Sequence, residues 1–274
     1  MGEPVDHTDE LAGEPVFWRT AEASKPSEPP ILWVHGVPSS SDDWLPFLQQ
    51  AGGIAPDLPG FGRTTKRGSH AFDMPYYCDW LDAFLDHIEV DRVRLCVHDW
   101  GGLALAWAQR NPERVDRIVV INAVPLLPGY KWHRLARIWR TPIVGEIAMG
   151  LTNRVTMKLL SREANATKGP LPEEQIKSTM EHFDQGTQRA ILRLYRSAPP
   201  EVLAAAGLDL GNLAGPSLVL WGEQDPYIPA RFADHYAEAL GNAEAERIEG
   251  AGHWAWLDKP EIVGRVCDFL DGSA

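Results

Sequence analysis

Short apolar runs alternating with amphipathic stretches organise this chain. Ile31-Leu32-Trp33-Val34 is a continuous apolar run ended by His35-Gly36, the pattern of a strand buried on both faces. Similar spacing predicts strands over 16–20, 53–56, 93–97, 115–121, 217–221 and 245–248. Between them the period changes. Tyr76, Trp80, Phe84 and Ile88 recur every four residues behind Pro75, which predicts a helix over 75–88. Helices are also expected over 102–110, 230–240 and 261–270. Strands alternating with helices predict a mostly parallel α/β sheet with helices on both faces.

The rhythm breaks between Pro125 and Leu213, where no run reads as a strand. Helical patches lie at 132–139, 143–160, 173–183 and 187–196, punctuated by Pro170, Pro172, Pro199 and Pro200. This predicts a helical cap over 125–213, inserted into a core made of 1–124 and 214–274. No internal repeat is visible.

Composition narrows the function classes. With 274 residues and 44% hydrophobic content the chain can bury a large core. Its net charge of −12 and lack of a basic run argue against nucleic acid as a partner. Cys78, Cys96 and Cys267 are odd in number and lack metal-site spacing, so reduced thiols in a cytoplasmic protein are expected, with no metal. The acidic N-terminus has no apolar signal region. No stretch nears the roughly 20 apolar residues that cross a bilayer, so no membrane partner is expected. A homodimer is left open.

The candidate chemistry lies at strand ends. Val97-His98-Asp99-Trp100-Gly101-Gly102 joins the 93–97 strand to a helix rich in Ala, Leu and Trp. That is the shape of a nucleophile elbow, written G-x-S-x-G in serine hydrolases, with Asp99 in the serine slot. The exchange changes the chemistry. A serine needs a base before it attacks, whereas a carboxylate of pKa about 3.9 is already an anion at neutral pH. It suits displacement at a strained or halogenated carbon and leaves an ester on the enzyme. Asp225 follows the 217–221 strand and His253 the 245–248 strand. In a parallel sheet these ends share one edge. The loop His35-Gly36-Val37-Pro38 would lend the Val37 N–H to an oxyanion hole, with the Trp100 N–H as second donor. Taken singly, each residue has an ordinary explanation: Asp99 as a helix N-cap, Asp225-Pro226 as a turn, His253 as a loop histidine. Glu223 is a second candidate acid. The ordered set favours catalysis.

The order nucleophile, acid, histidine is that of α/β-hydrolases. With His35-Gly36-Val37-Pro38, His98-Asp99-Trp100-Gly101-Gly102 and Gly252-His253-Trp254, nearly the whole chain resembles the epoxide hydrolase and haloalkane dehalogenase branch of that superfamily. The resemblance implies a covalent ester on Asp99, with His253 oriented by Asp225 as base and no cofactor. The two chemistries differ at the leaving group. A dehalogenase of this branch needs N–H donors for halide: Trp100 supplies one, the Asn slot after His-Gly holds Val37, and Trp132 or Trp139 would have to serve. An epoxide hydrolase needs an acid for the ring oxygen, usually cap tyrosines. Tyr195-Arg196 resembles the Tyr-Arg pair of such enzymes, and 253–260 and Asn122 also look more like them. No tyrosine stands near Pro142, so His133 and Tyr130 become candidates for the second donor, with Trp139 as a substrate-binding residue. Tyr195 and the Trp132–Trp139 pair also fit plain core packing. The expected function is hydrolysis of a small-molecule epoxide to a vicinal diol. The alternatives are a haloalkane dehalogenase and a non-catalytic ligand-binding protein of the same fold.

Overall fold

The computed structural model describes residues 2–167 and 169–273. Its most apolar runs form the middle of one eight-stranded sheet. The strands are β1 (Val5–Leu11), β2 (Glu14–Ala21), β3 (Ile31–Val34), β4 (Gly53–Pro56), β5 (Val93–His98), β6 (Val115–Ile121), β7 (Ser217–Gly222) and β8 (Ala243–Ile248). They lie in the order β1-β2-β4-β3-β5-β6-β7-β8. β1 and β2 pair antiparallel with each other, β2 pairs antiparallel with β4, and the remaining neighbours are parallel.

Side-chain alternation divides the central strands between two apolar layers. Leu32, Val34, Leu95, Val97, Ile118 and Val120 face one layer, with α2 (Met74–His87) and α3 (Leu103–Arg110) packed on it. Ile31, Trp33, Cys96, Val119 and Ile121 face the other, which holds the Trp33, Trp44, Phe47 and Trp256 rings. There α1 (Leu45–Ala51) packs against the last helix of the chain. Both faces of the central strands are therefore covered by packed side chains, which leaves the strand ends as the place for a ligand.

Six helices fill the interval between β6 and β7: α4 (Arg134–Arg140), α5 (Val144–Gly150), α6 (Arg154–Leu160), α7 (Glu173–Glu181), α8 (Gln185–Ser197) and α9 (Pro200–Ala206). After β7 come α10 (Arg231–Leu240), α11 (Ala255–Asp258) and α12 (Glu261–Leu270). Three features depart from the sequence reading. β1 was not anticipated, because its residues Val5-Asp-His-Thr-Asp-Glu-Leu11 show no apolar alternation; it is an edge strand held by backbone pairing to β2. Helix α1 was missed although Trp44, Phe47, Leu48 and Ala51 have helical spacing and are buried. The 143–160 patch is two helices. Asn153 stops the first and caps the second, accepting from the Val155 and Thr156 N–H groups.

The turn from β5 to α3 is the tightest point of the fold. Asp99 sits at φ 49°, a conformation uncommon for a residue with a side chain. Two glycines make room for it. A Cβ on Gly36 would lie 2.4 Å from Asp99 Cβ, and one on Gly101 would lie 2.1 Å from the Val34 carbonyl oxygen. Backbone cannot retreat as a side-chain tip can. Gly101→Ala is therefore expected to destabilise by about 2–3 kcal/mol, lowering the thermal midpoint by roughly 5–10 °C. A calorimetric midpoint equal to the wild type would contradict this.

Candidate active site

Three loops at the same sheet edge bring Asp99, Asp225 and His253 together. His253 Nδ1 donates to Asp225 Oδ2 at 2.8 Å. Its Nε2 faces Asp99 Oδ2 at 3.5 Å. That distance is long for a hydrogen bond but within ion-pair range. All three side chains are nearly inaccessible to solvent. Burial by itself would favour neutral imidazole. The two carboxylates, Asp225 first, outweigh it and hold the His253 proton up to about pH 10. Asp99 moves the other way. Burial favours its protonated form, but His253 and the Val37 N–H keep its pKa below the usual carboxylate value. The resting site is thus an imidazolium between two carboxylates.

The Val37 N–H donates to Asp99 Oδ1 at 2.8 Å, where the sequence put an oxyanion donor. The Trp100 N–H makes no such bond to the Asp99 carboxylate among the described residues. Asp225 is fixed by three more donors: Tyr227 N at 2.8 Å, Ile228 N at 3.0 Å and Asn122 Nδ2 at 2.7 Å. Asn122, at φ 41° directly after β6, also accepts from Gly222 N at 3.1 Å. It therefore joins the ends of β6 and β7 around the acid. Glu223 is exposed.

His98 replaces the first glycine of the elbow pattern, and its position has a structural reason. Its Nε2 lies 3.0 Å from the His253 carbonyl oxygen. A carbonyl only accepts, so Nε2 carries the proton. Burial and the nearby His253 charge push its pKa down to about 3, so the ring stays neutral. It ties the end of β5 to the loop that carries His253 while adding no charge.

Asp99 and His253 open into a cavity of about 80 Å³. Its walls come mostly from the inserted helices and are mainly apolar: Leu135, Met149, Met157, Leu160, Phe183 and Ile191 among them. Tyr195, His133, Trp139 and Tyr130, the sequence candidates, all line it. The Tyr195 ring packs edge-on against Trp100 and Trp139 at 5.0 Å and beside Trp132 at 4.9 Å. The Tyr130 hydroxyl is buried and has no protein partner. His133 accepts the Ala136 N–H through Nδ1 at 3.3 Å, capping α4, and burial pushes its pKa down to about 4. Tyr227 was missed. It lines the cavity against the rings of His253 and His133, at 5.1 and 4.9 Å. Its position two residues after Asp225 was the available signal. One expectation is corrected. The Trp132 indole N–H donates to the Ala198 carbonyl at 2.9 Å, so it is not available as a halide donor. The Trp100 indole N–H is buried without a partner that meets hydrogen-bond geometry, and it lies beside the Tyr195 hydroxyl. Among the described residues no group of three His, Cys, Asp or Glu is placed to hold a metal, and no helix is long and apolar enough to cross a membrane.

Comparison with known proteins agrees with this geometry. The sequence profile of the alpha/beta hydrolase fold family matches residues 29–145 and 153–260. A haloalkane dehalogenase of Mycolicibacterium paratuberculosis is 30% identical over 267 residues, covering 88% of this chain and 83% of that protein. Epoxide hydrolase 2 of Caenorhabditis elegans is 23% identical over 257 residues, covering 85% of this chain and 71% of its own length. The crystal structure of a haloalkane dehalogenase from Bradyrhizobium elkani superposes with a TM-score of 0.84 at 26% identity, covering 98% of both chains. A profile match over most of the length, together with the strand order and the elbow, leads to one conclusion: the chain belongs to the alpha/beta hydrolase fold family.

Proposed function

We propose that the protein hydrolyses an epoxide to a vicinal diol through an ester on Asp99, beneath a cap formed by residues 125–213. One observation carries the choice of leaving group. The apolar cavity in front of Asp99 is lined by the hydroxyl-bearing side chains of Tyr195, Tyr130 and Tyr227, while the Trp132 indole N–H is already bound to a carbonyl. An opening epoxide leaves an alkoxide, which needs a proton. A halide leaves as a stable anion and needs only N–H donors. The lining chemistry suits the first.

The protonation states give an order of events. Asp99, an anion at rest, attacks one epoxide carbon from behind, and that C–O bond breaks as Tyr195 gives its proton to the ring oxygen. Burial and the Asp99 anion hold the Tyr195 hydroxyl protonated well above its ordinary pKa, and the Trp100 indole beside it offsets part of this; esterification of Asp99 removes the second of these causes. Esterification removes the charge of Asp99, one of the two anions that hold the His253 proton. The imidazolium becomes more acidic at the step where a neutral base is required. Its proton returns to the phenolate through water. His253 then takes a proton from a second water, and the hydroxide attacks the ester carbonyl. The Val37 N–H, already on Asp99 Oδ1, is in place for the oxyanion, with the Trp100 N–H as second donor. Collapse releases the diol and restores the Asp99 anion and the His253 imidazolium. Epoxide and water are consumed, and the enzyme returns unchanged. Asn122 and His98 are positioning residues: each holds a catalytic side chain or its loop without facing substrate.

A second reading has one specific observation behind it. The free Trp100 indole N–H, with Trp139 in the cavity wall, could serve a halide. The covalent steps on Asp99 would be unchanged. The two readings part at Tyr195→Phe, which keeps the ring and its packing and removes only the hydroxyl. Turnover of a panel of styrene-type, alicyclic and terminal epoxides is expected to fall by about 10²-fold or more, with an unchanged melting temperature. Epoxide turnover that survives the substitution removes Tyr195 from the mechanism. A wild type that releases bromide from alkyl bromides and ignores every epoxide establishes the halide reading.

The raised His253 pKa also makes a stability statement. The folded value, about 10, lies above the unfolded value of about 6.5. The stabilisation is therefore complete below about pH 6.5 and disappears as pH rises through about 10. In urea unfolding, the advantage of the wild type over Asp225→Asn should narrow steadily between about pH 6.5 and 10. A gap independent of pH across that window would show that Asp225 does not hold the His253 proton.

A further inference from the structure

The outer side of the insertion carries an aliphatic stripe that the chain leaves uncovered. Ile143, Ile147, Leu151, Val155 and Leu159 follow one another every four residues through α5 and α6, and each is between 59% and 77% exposed. Within each helix a four-residue step keeps such residues on one side. Together with Val144 they present apolar surface on the order of several hundred Å², at the upper end of what free monomers show. The same helices supply Met149, Thr152, Met157 and Leu160 to the cavity wall. Helices α5 and α6 are thus apolar on both sides. The cavity explains the inner side, and none of the described residues covers the outer one.

Charge indicates what covers it. Between Lys131 and Glu163 there are seven Lys or Arg against two Glu, a local +5 in a chain of net charge −12. Arg154 and Lys158 stand next in sequence to the stripe residues Val155 and Leu159. The acids nearby already have partners: Glu146 pairs with Arg196, Glu163 with Arg134, and Glu173 with Arg154 and Lys158. Lys131, Arg137 and Arg162 are exposed, with no acidic group within 4 Å among the described residues. Exposed aliphatic side chains in a segment of net positive charge, with three cations free of acidic partners among the described residues, are the pattern of a helix that lies in a lipid interface. Pairing this face with itself across a two-fold axis would set the same cations opposite one another. Acidic groups on the rest of the molecule oppose docking weakly, because charges more than about 8–10 Å apart in water are largely screened.

We propose that the α5–α6 face docks on the surface of an anionic phospholipid bilayer, with the aliphatic stripe at the acyl boundary and the flanking cations among the headgroups. This is contact with a surface, not a span, since each helix has seven residues. Docking would put the roof of the catalytic cavity against the phase in which apolar substrates concentrate. It does not depend on which leaving group Asp99 displaces.

The test is cosedimentation of the full chain with vesicles of phosphatidylcholine containing about 30% phosphatidylserine, compared with pure phosphatidylcholine. The partition coefficient is expected to be at least tenfold higher for the anionic vesicles, and to fall at least tenfold in high salt. Ile147→Glu with Val155→Glu should lower it tenfold or more. Neither side chain lines the cavity, and both are exposed, so the melting temperature should stay at the wild-type value. Equal partition onto both vesicle types overturns the proposal, as does absence of binding to either. If the chain instead self-associates and the double variant abolishes that, a second copy covers the stripe.

Discussion

The constraint on which the structure depends is a carboxylate that must be both buried and ionised. Removing Asp99 from water favours its protonated form. The fold offsets this with two directed groups: the Val37 N–H at 2.8 Å and the His253 imidazolium at 3.5 Å. Each comes from a different strand end, so no local segment can build the site alone. Gly36 and Gly101 let β3 and α3 approach closely enough for these groups to converge. Asn122 does the corresponding task for Asp225, bonding it at 2.7 Å while bridging to the start of the Gly222 turn.

In the proposed reaction the same electrostatics couple the two chemical steps. An imidazolium is useless as a base, and the Asp99 anion is one of the two that keep it protonated. Alkylating Asp99 therefore changes His253 from a counter-ion into a base-in-waiting, with Asp225 still holding Nδ1. Nothing in this part depends on the leaving group. In the proposed reaction that choice belongs to the cavity wall, where Tyr195, Tyr130 and His133 come from the insertion and Tyr227 from the loop that carries Asp225. One sheet edge can host different displacement chemistries by changing those side chains.

What the sequence made legible follows from range. Asp99, Asp225 and His253 were readable because each sits just past a strand with a clear apolar pattern, and strand ends in a parallel sheet must share an edge. Tyr195 stood out only through the likeness of Tyr195-Arg196 to a Tyr-Arg pair, since its place in an amphipathic helix fits plain core packing equally well. The α1 helix was equally readable from Trp44, Phe47 and Leu48. β1 was not, because backbone pairing at an edge leaves no side-chain pattern. Long-range polar contacts leave none either. The commitment of the Trp132 indole to Ala198, 66 residues away, and the contact of Tyr227 with His133 depend on how the insertion folds back. Those contacts bear on the leaving group, and so substrate class was the least legible property.

The central claim is that Asp99 forms a covalent ester that water hydrolyses at the carbonyl. A single turnover in oxygen-18 water, with enzyme in excess over substrate, tests it directly. The diol oxygen then comes from the Asp99 carboxylate, and the label enters the enzyme. Peptide mass spectrometry should find oxygen-18 in the fragment carrying Asp99, with unlabelled first-turnover diol. Label in that first diol, with Asp99 unchanged, would mean that water attacks the substrate directly and would contradict the account.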